Sequence, residues 1–157
     1  MFEILKKYVF DDPEQDDVWE NKHAFFRIDE GELEETEEAL GRDLPLELKT
    51  FYEEVGYGFL CIGEGNNVNR IISAIEIADF VEGINDYEND PRREYYNESD
   101  KMVFFEVSSD VFIVLDLEQE NSHGQCPLYY FNKKIANNIE EFIIKMDLEP
   151  NYYIDSL

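Results

Sequence analysis

Leu33 to Gly58 reads LEETEEALGRDLPLELKTFYEEVGYG, and this stretch holds the clearest helix signals in the chain. Asp29 followed by Glu32 predicts a helix start in the capping-box pattern, and Gly41 is a residue type that ends helices. Pro45 predicts the first position of a second helix. Apolar residues of that helix recur at the i, i+3, i+4, i+7 spacing of an amphipathic helix: Leu48, Phe51, Tyr52 and Val55. We expect two antiparallel helices joined by a short turn.

Beyond Gly58 the chain changes to short β-type runs separated by turn residues. Strands are predicted over 58–62, 68–72, 102–107, 111–116 and 127–131. Ser73 and Glu76 form a second capping box, which predicts a helix between the second and third of these strands. Most of the strands follow one another too closely for crossover helices, which favours antiparallel pairing. The sequence therefore predicts an α+β fold with a largely antiparallel sheet of about five or six strands and helices packed on it.

The length of 157 residues fits one domain over 1–157, with an N-terminal helix and acidic loop over 1–24 and a core over 25–157. The predicted N-terminal helix carries its apolar residues on one side: Phe2, Leu5 and Val9. A last helix is predicted with four apolar residues on one face: Ile135, Ile139, Phe142 and Met146. We expect the aromatic tail over 151–154 to dock back on the body.

The charge balance restricts the partners of this chain. It has 38 acidic and 13 basic residues and a formal net charge of −25. Binding to nucleic acid or to an anionic membrane is disfavoured, because both depend on Lys and Arg. The apolar runs are too short to span a bilayer and the N-terminus lacks signal-peptide order, so we expect a cytoplasmic protein. The charge favours a basic protein partner, against the alternative that it only maintains solubility.

Signals for catalysis, metals and cofactors are weak. His123 and Cys126 offer one pair of metal ligands, whereas a structural zinc site needs four ligands, usually as two close pairs. Whether Cys61 joins them in space is left open, and both cysteines are expected to be buried thiols. The acidic loop over 11–17 fails the EF-hand pattern, because Pro13 stands at its third position and its sixth position is no glycine. We predict no catalytic residue, no metal site and no cofactor.

An acidic and aromatic segment between Asp79 and Tyr96 is the best candidate for a binding surface. Tyrosine supplies large contact area at low entropy cost, and carboxylates complement a basic surface. The alternative is an ordinary solvated helix and loop. The predicted partner-binding residues are Asp79, Glu82, Asp86, Tyr87, Glu88, Asp90, Tyr95 and Tyr96.

The stretch from Leu33 to Gly58 also resembles the entry motif of the SUKH superfamily, which includes yeast cell-wall-assembly regulators and many bacterial toxin-immunity proteins. The matching elements follow in order: Leu40-Gly41, Leu44-Pro45, Phe51-Tyr52 and Gly56. The similarity continues more weakly from about residue 25 to the last helix, and is greatest with the immunity subgroup found with Gram-positive polymorphic toxins. One departure lies at 55–58, where many members have Asn-Gly-Gly.

The resemblance implies an α+β domain without enzymatic activity. It implies a bacterial immunity protein that binds a cognate toxin domain, often a nuclease, in the cytosol of the producing cell. The family supplies no universal binding residues, so none is carried over. The alternative is a non-enzymatic regulatory adaptor of cell-wall or signalling proteins, and a hydrolase with paired carboxylates is a third hypothesis. Nothing in the sequence predicts the oligomeric state.

Overall fold

The computed structural model describes residues 1–15 and 17–154, so Asp16 of the predicted acidic loop lies outside the described residues. The helices are α1 (Glu32–Leu40), α2 (Leu46–Glu54), α3 (Ala74–Glu82), α4 (Arg93–Tyr96) and α5 (Ile139–Leu148). The strands are β1 (Val9–Phe10), β2 (Ala24–Phe26), β3 (Tyr57–Phe59), β4 (Arg70–Ile71), β5 (Lys101–Glu106), β6 (Phe112–Asp116), β7 (Leu128–Tyr130) and β8 (Lys133–Ala136). None of the helices in this described part is long and apolar enough to cross a membrane.

All eight strands of the described chain form one sheet, and their order in the sheet is their order in the sequence. The first pair, β1 and β2, is parallel. Every later pair is antiparallel, which confirms the predicted α+β fold with a largely antiparallel sheet. The strand count exceeds the predicted five or six, because the short strands β1, β2 and β8 were not predicted.

The starts of α1 and α2 differ from the prediction. Gly31, in the left-handed region at φ 84°, precedes α1, which begins at Glu32 and not near Asp29. Only half of the predicted capping box forms: the Asp29 N–H donates to Glu32 Oε1 at 3.4 Å. Pro45 is extended, with ψ 141°, and is the residue before α2. The capping box of Ser73 and Glu76 at α3 forms as predicted.

The phenylalanine rings of the core join α2 and α5 to the sheet. Phe51 of α2 contacts Phe2, Phe25 and Phe104 in edge-to-face geometry. Phe142 of α5 contacts Phe104 in the same way, at 6.3 Å between ring centroids. Edge-to-face contacts add to the apolar area that such rings bury. The predicted apolar face of α2 is thus confirmed. The closest helix neighbour of α1 is α3, and not α2 as the predicted antiparallel pair would require.

The chain termini correct two further predictions. A 3₁₀ helix over Glu3–Tyr8 replaces the longer predicted helix, and Val9 lies in β1 instead. Ile135 lies in β8, because the Asn138 side chain caps α5 by accepting the Glu141 N–H at 2.8 Å. The C-terminal tail docks as predicted: the Tyr152 hydroxyl donates to the Ile135 carbonyl oxygen at 2.7 Å.

Two buried carboxylates cap helices that are distant in sequence. Glu47 of α2 accepts the backbone N–H groups of Ile139 at 2.7 Å and Glu140 at 3.1 Å, at the start of α5. Glu32 of α1 accepts the Ile75 N–H at 3.2 Å, at the start of α3. The first N–H groups of a helix lack partners within it, and the helix dipole favours a negative charge there. Both glutamates therefore fix one helix against another.

A close approach between β2 and β3 explains one glycine. Gly58 has φ 151°, and a β-carbon there would overlap the Ala24 carbonyl oxygen and lie 2.8 Å from the Phe25 Cα. Only glycine fits where two backbones meet this closely. Gly58 belongs to the segment where the sequence departs from the family's usual Asn-Gly-Gly.

Candidate partner-binding surface

The acidic and aromatic segment, Asp79 to Tyr96, runs from α3 through a 3₁₀ turn at Asn85–Tyr87 to α4. Its predicted partner-binding residues divide by exposure. The exposed ones are Glu82, Asp86, Glu88 and Tyr95, and the half-buried ones are Asp79, Asp90 and Tyr96. Tyr87 is buried, with 3% of its surface exposed. The exposed and half-buried members can meet a partner without a change in the fold, whereas the buried Tyr87 cannot.

Tyr87 is part of the support for this segment. Its hydroxyl donates to Glu76 Oε1 at 3.0 Å, and its ring packs edge-to-face on Phe80 with centroids 5.4 Å apart. Burial raises the pKa of Tyr87 well above its ordinary value, so the hydroxyl keeps its proton at neutral pH. A buried hydroxyl in a satisfied hydrogen bond holds the 3₁₀ turn against α3.

A network of ion pairs lies beneath the segment. Arg70 donates to both oxygens of Glu76 at 2.9 Å and to Glu106 at 3.3 Å. Glu106 also accepts from Arg92 at 2.6 Å, and Arg92 pairs with Asp90 at 2.8 Å. Burial acts to raise the pKa of Glu76, but the Arg70 guanidinium, together with the hydrogen bonds from Ser73 and Tyr87, brings that pKa below its ordinary value. The network connects α3, β4 and β5 to the rest of the acidic and aromatic segment.

A third arginine fixes the end of α3. The Arg93 guanidinium donates to the carbonyl oxygens of Phe80 at 2.7 Å and Val81 at 2.8 Å. A cation at a helix C-terminus satisfies carbonyl groups that lack partners within the helix. The sequence prediction missed these supporting residues, and adjacent arginines at 92 and 93 inside an acidic stretch were the available signal.

An aromatic groove of about 530 Å³ begins where the acidic and aromatic segment ends. Its aromatic and apolar lining residues are Tyr95, Tyr96, Val111, Val114 and Phe131, and its polar ones are Glu98, Lys101, Asp110 and Asn132. Tyr95 is 74% exposed and Phe131 is 50% exposed. The groove thus joins two predicted residues to a strand and a hairpin that the sequence prediction did not include.

The cysteines and histidines do not assemble a site within the described residues. Cys61 and Cys126 are free and buried, and burial raises the pKa of each thiol to about 12. The Cys61 N–H donates to His23 Nδ1 at 2.9 Å, so that nitrogen carries no proton, and Nε2 donates to Asp147 at 2.8 Å. Both imidazole nitrogens are therefore occupied, and neither is available as a base for the thiol. His123 is exposed, on a loop.

One carboxylate cluster has the spacing of metal ligands. Oxygen atoms of Asp100, Asp116 and Glu118 lie within 4.8 Å of one another. The Lys101 ammonium sits 3.1 Å from Asp100 and 3.4 Å from Asp116, in the place where a cation would neutralise them. Asp116 also accepts the Glu118 N–H at 3.1 Å. This cluster is accounted for by lysine pairing and a backbone turn.

Comparison with known proteins gives two matches that cover most of the chain. The SMI1 / KNR4 family (SUKH-1) matches residues 27–145. A curated Bacillus subtilis (strain 168) protein named "Immunity protein YxxD" is 39% identical over 138 residues, which are 87% of this chain and 91% of that relative. The family match extends over more than half of the chain and includes α1, α2 and the α3–α4 region. This chain therefore belongs to the SMI1 / KNR4 family (SUKH-1).

Proposed function

We propose that this protein is a bacterial immunity protein, which neutralises a cognate polymorphic toxin domain by stoichiometric binding without catalysis. The observation that carries the proposal is the 39% identity to a protein named as an immunity protein, over 87% of the chain. A nuclease is the toxin class that the charge fits best. Nucleases hold nucleic acid on basic surfaces, and a protein of net charge −25 can occupy such a surface in place of phosphates.

The distribution of charge supports a basic partner. Arg70 and Arg92 are used inside the fold, in ion pairs with Glu76, Glu106 and Asp90. Glu82, Asp86, Glu88 and Glu94 stay exposed in the acidic and aromatic segment. Exposed carboxylates with so few free cations beside them attract a basic protein over long range and speed the encounter.

The direct test is a calorimetric titration with the C-terminal toxin domain encoded by the adjacent upstream gene, at 50 mM and 300 mM salt. We expect one-to-one binding with a Kd in the nanomolar range or below, weakened by salt. Co-expression should also protect cells from the toxin domain. No binding at either salt concentration would refute the proposal and would favour the regulatory adaptor, for which binding is commonly weak and transient.

A charge series tests which surface steers the encounter. Glu82→Gln, Asp86→Asn and Glu88→Gln together remove three exposed charges from the acidic and aromatic segment, and should slow association about tenfold at low salt. The matched control removes three exposed charges near the N-terminus: Asp11→Asn, Glu14→Gln and Glu20→Gln. Both sets change the net charge equally, so a difference in association rate reports on local position. Equal rates would place the interface away from this segment.

A further inference from the structure

We propose that the aromatic groove, lined by Tyr95, Tyr96, Val111, Val114 and Phe131, is the docking site for a basic segment of the toxin. The occupant is an arginine or lysine side chain whose aliphatic stem packs on the rings and whose charge meets the groove carboxylates. This inference rests on the proposed immunity function and adds the position and chemistry of the contact. The groove has a volume of about 530 Å³, which lies within the range of ligand-binding pockets and leaves room for a side chain.

The two aromatic walls of the groove come from distant parts of the chain. Tyr95 lies on α4, and Phe131 lies at the tip of the β7–β8 hairpin. Tyr96 packs on Phe112 with ring centroids 5.6 Å apart, which fixes α4 to the sheet. Val114, from β6, also lines the groove. Aromatic anchors around a small pocket are typical of the residues that dominate binding energy at protein interfaces.

The charge of the lining selects a basic occupant. Glu98 and Asp110 are exposed carboxylates of the groove, and Lys101 is its basic residue. Lys101 is already neutralised by Asp100 at 3.1 Å and Asp116 at 3.4 Å. The lining therefore presents net negative charge beside aromatic faces. Those faces attract cations through their quadrupole, and arginine most often makes such contacts.

The backbone of Phe131 is strained, which gives an independent reason to assign it a role. Its φ is 55°, in the left-handed region that a bulky side chain rarely adopts. Its ring packs on Tyr130 at 4.7 Å and remains half exposed. Glycine and asparagine suit this hairpin position better, and strained residues cluster at functional sites. A costly, half-exposed aromatic at a hairpin tip is explained if it contacts a partner.

The test uses substitutions that spare the fold. Phe131→Gly removes the ring and relieves the backbone strain, so we expect a melting temperature close to that of the parent. Tyr95→Ala removes a side chain that is 74% exposed. Each should weaken calorimetric binding of the toxin domain by about 30-fold, as the loss of an interface hot spot does. The matched control is Leu148→Ala, which removes an apolar side chain that is 79% exposed on α5 and should bind like the parent.

The charge part of the inference has its own variant. Glu98→Gln with Asp110→Asn should weaken binding and reduce its salt dependence more than Asp11→Asn with Glu14→Gln does. Parent-like binding by Phe131→Gly and Tyr95→Ala would overturn the groove as the site and leave the immunity function standing. An unchanged salt slope in the groove charge variant would overturn the basic occupant. Failure of the unmodified protein to bind the toxin domain would refute the proposed function and this inference together.

Discussion

Replacing Glu47 tests whether a carboxylate from α2 holds the start of α5. Glu47 is 3% exposed and accepts the Ile139 and Glu140 N–H groups at 2.7 and 3.1 Å. Burial raises the pKa of Glu47 above its ordinary value, and the two N–H groups oppose that rise. Hydrogen bonds to a charged group are worth about 1.5–3 kcal/mol each, and the cost of burying the carboxylate offsets part of this sum.

We therefore expect Glu47→Ala to lower the free energy of unfolding by about 3 kcal/mol, because two buried N–H groups lose their acceptor. For a chain of this length that corresponds to a fall in melting temperature of about 6–12 °C. Glu47→Gln keeps one acceptor oxygen and should cost roughly 1–2 kcal/mol. Thermal unfolding followed by circular dichroism gives the values. Amide exchange at Ile139 and Glu140 should accelerate in both variants.

The control for Glu47 is Glu53→Ala on the same helix. Glu53 is exposed, so its removal changes the net charge equally and should shift the free energy of unfolding by less than about 0.5 kcal/mol. A melting temperature of Glu47→Ala within about 2 °C of the control would refute the reasoning. The Asn138 cap of α5 would then be sufficient for that helix.

Three substitutions test separate features of the fold, and a fourth, Gly63→Ala, is a control. Gly58→Ala should lower the free energy of unfolding by about 3 kcal/mol or more in a denaturant titration, because the new β-carbon meets the backbone of β2. Gly63 has open space around it, so Gly63→Ala should lower that free energy by only about 1 kcal/mol. Burial lowers the pKa of His23 below 6.5, so as the pH falls the imidazole is protonated in the unfolded chain before it is protonated in the folded chain. The free energy of unfolding should therefore fall as the pH drops below 6.5, and it should fall less in His23→Gln. Phe131→Gly should change stability by less than about 1 kcal/mol, because relief of strain compensates for lost ring packing, and a larger loss would contradict the strain argument.

The part of the fold that could be predicted is the part with local signals. Gly41 ends α1 in the left-handed conformation, and Ser73 with Glu76 starts α3, because caps depend on residues a few positions apart. The unpredicted strands β1 and β2 have only two and three residues, which is too short for any periodicity. They form because the neighbouring strands provide their backbone partners.

The supporting contacts of the surface could not be predicted for a related reason. Arg70 and Glu106 are 36 positions apart, and nothing in an acidic chain distinguishes the glutamates that pair with an arginine from those that do not. Tyr87 was predicted to contact a partner because it lies among acidic and aromatic residues. The structure instead buries its side chain, and its hydroxyl donates to Glu76. The groove combines Tyr95 with Phe131, and only the folded sheet brings those positions together.

The order of the strands has a consequence for how the protein reaches its folded state. Each strand has as its sheet neighbour the strand that precedes it in the chain, from β1 through β8. A nascent chain can then add each strand to a template that has already left the ribosome, without waiting for a distant C-terminal partner. For the proposed immunity role, such vectorial assembly shortens the interval between synthesis and protection. The sheet can therefore be in place when translation ends, and the docking of α5 on Glu47 and Phe104 then completes the fold.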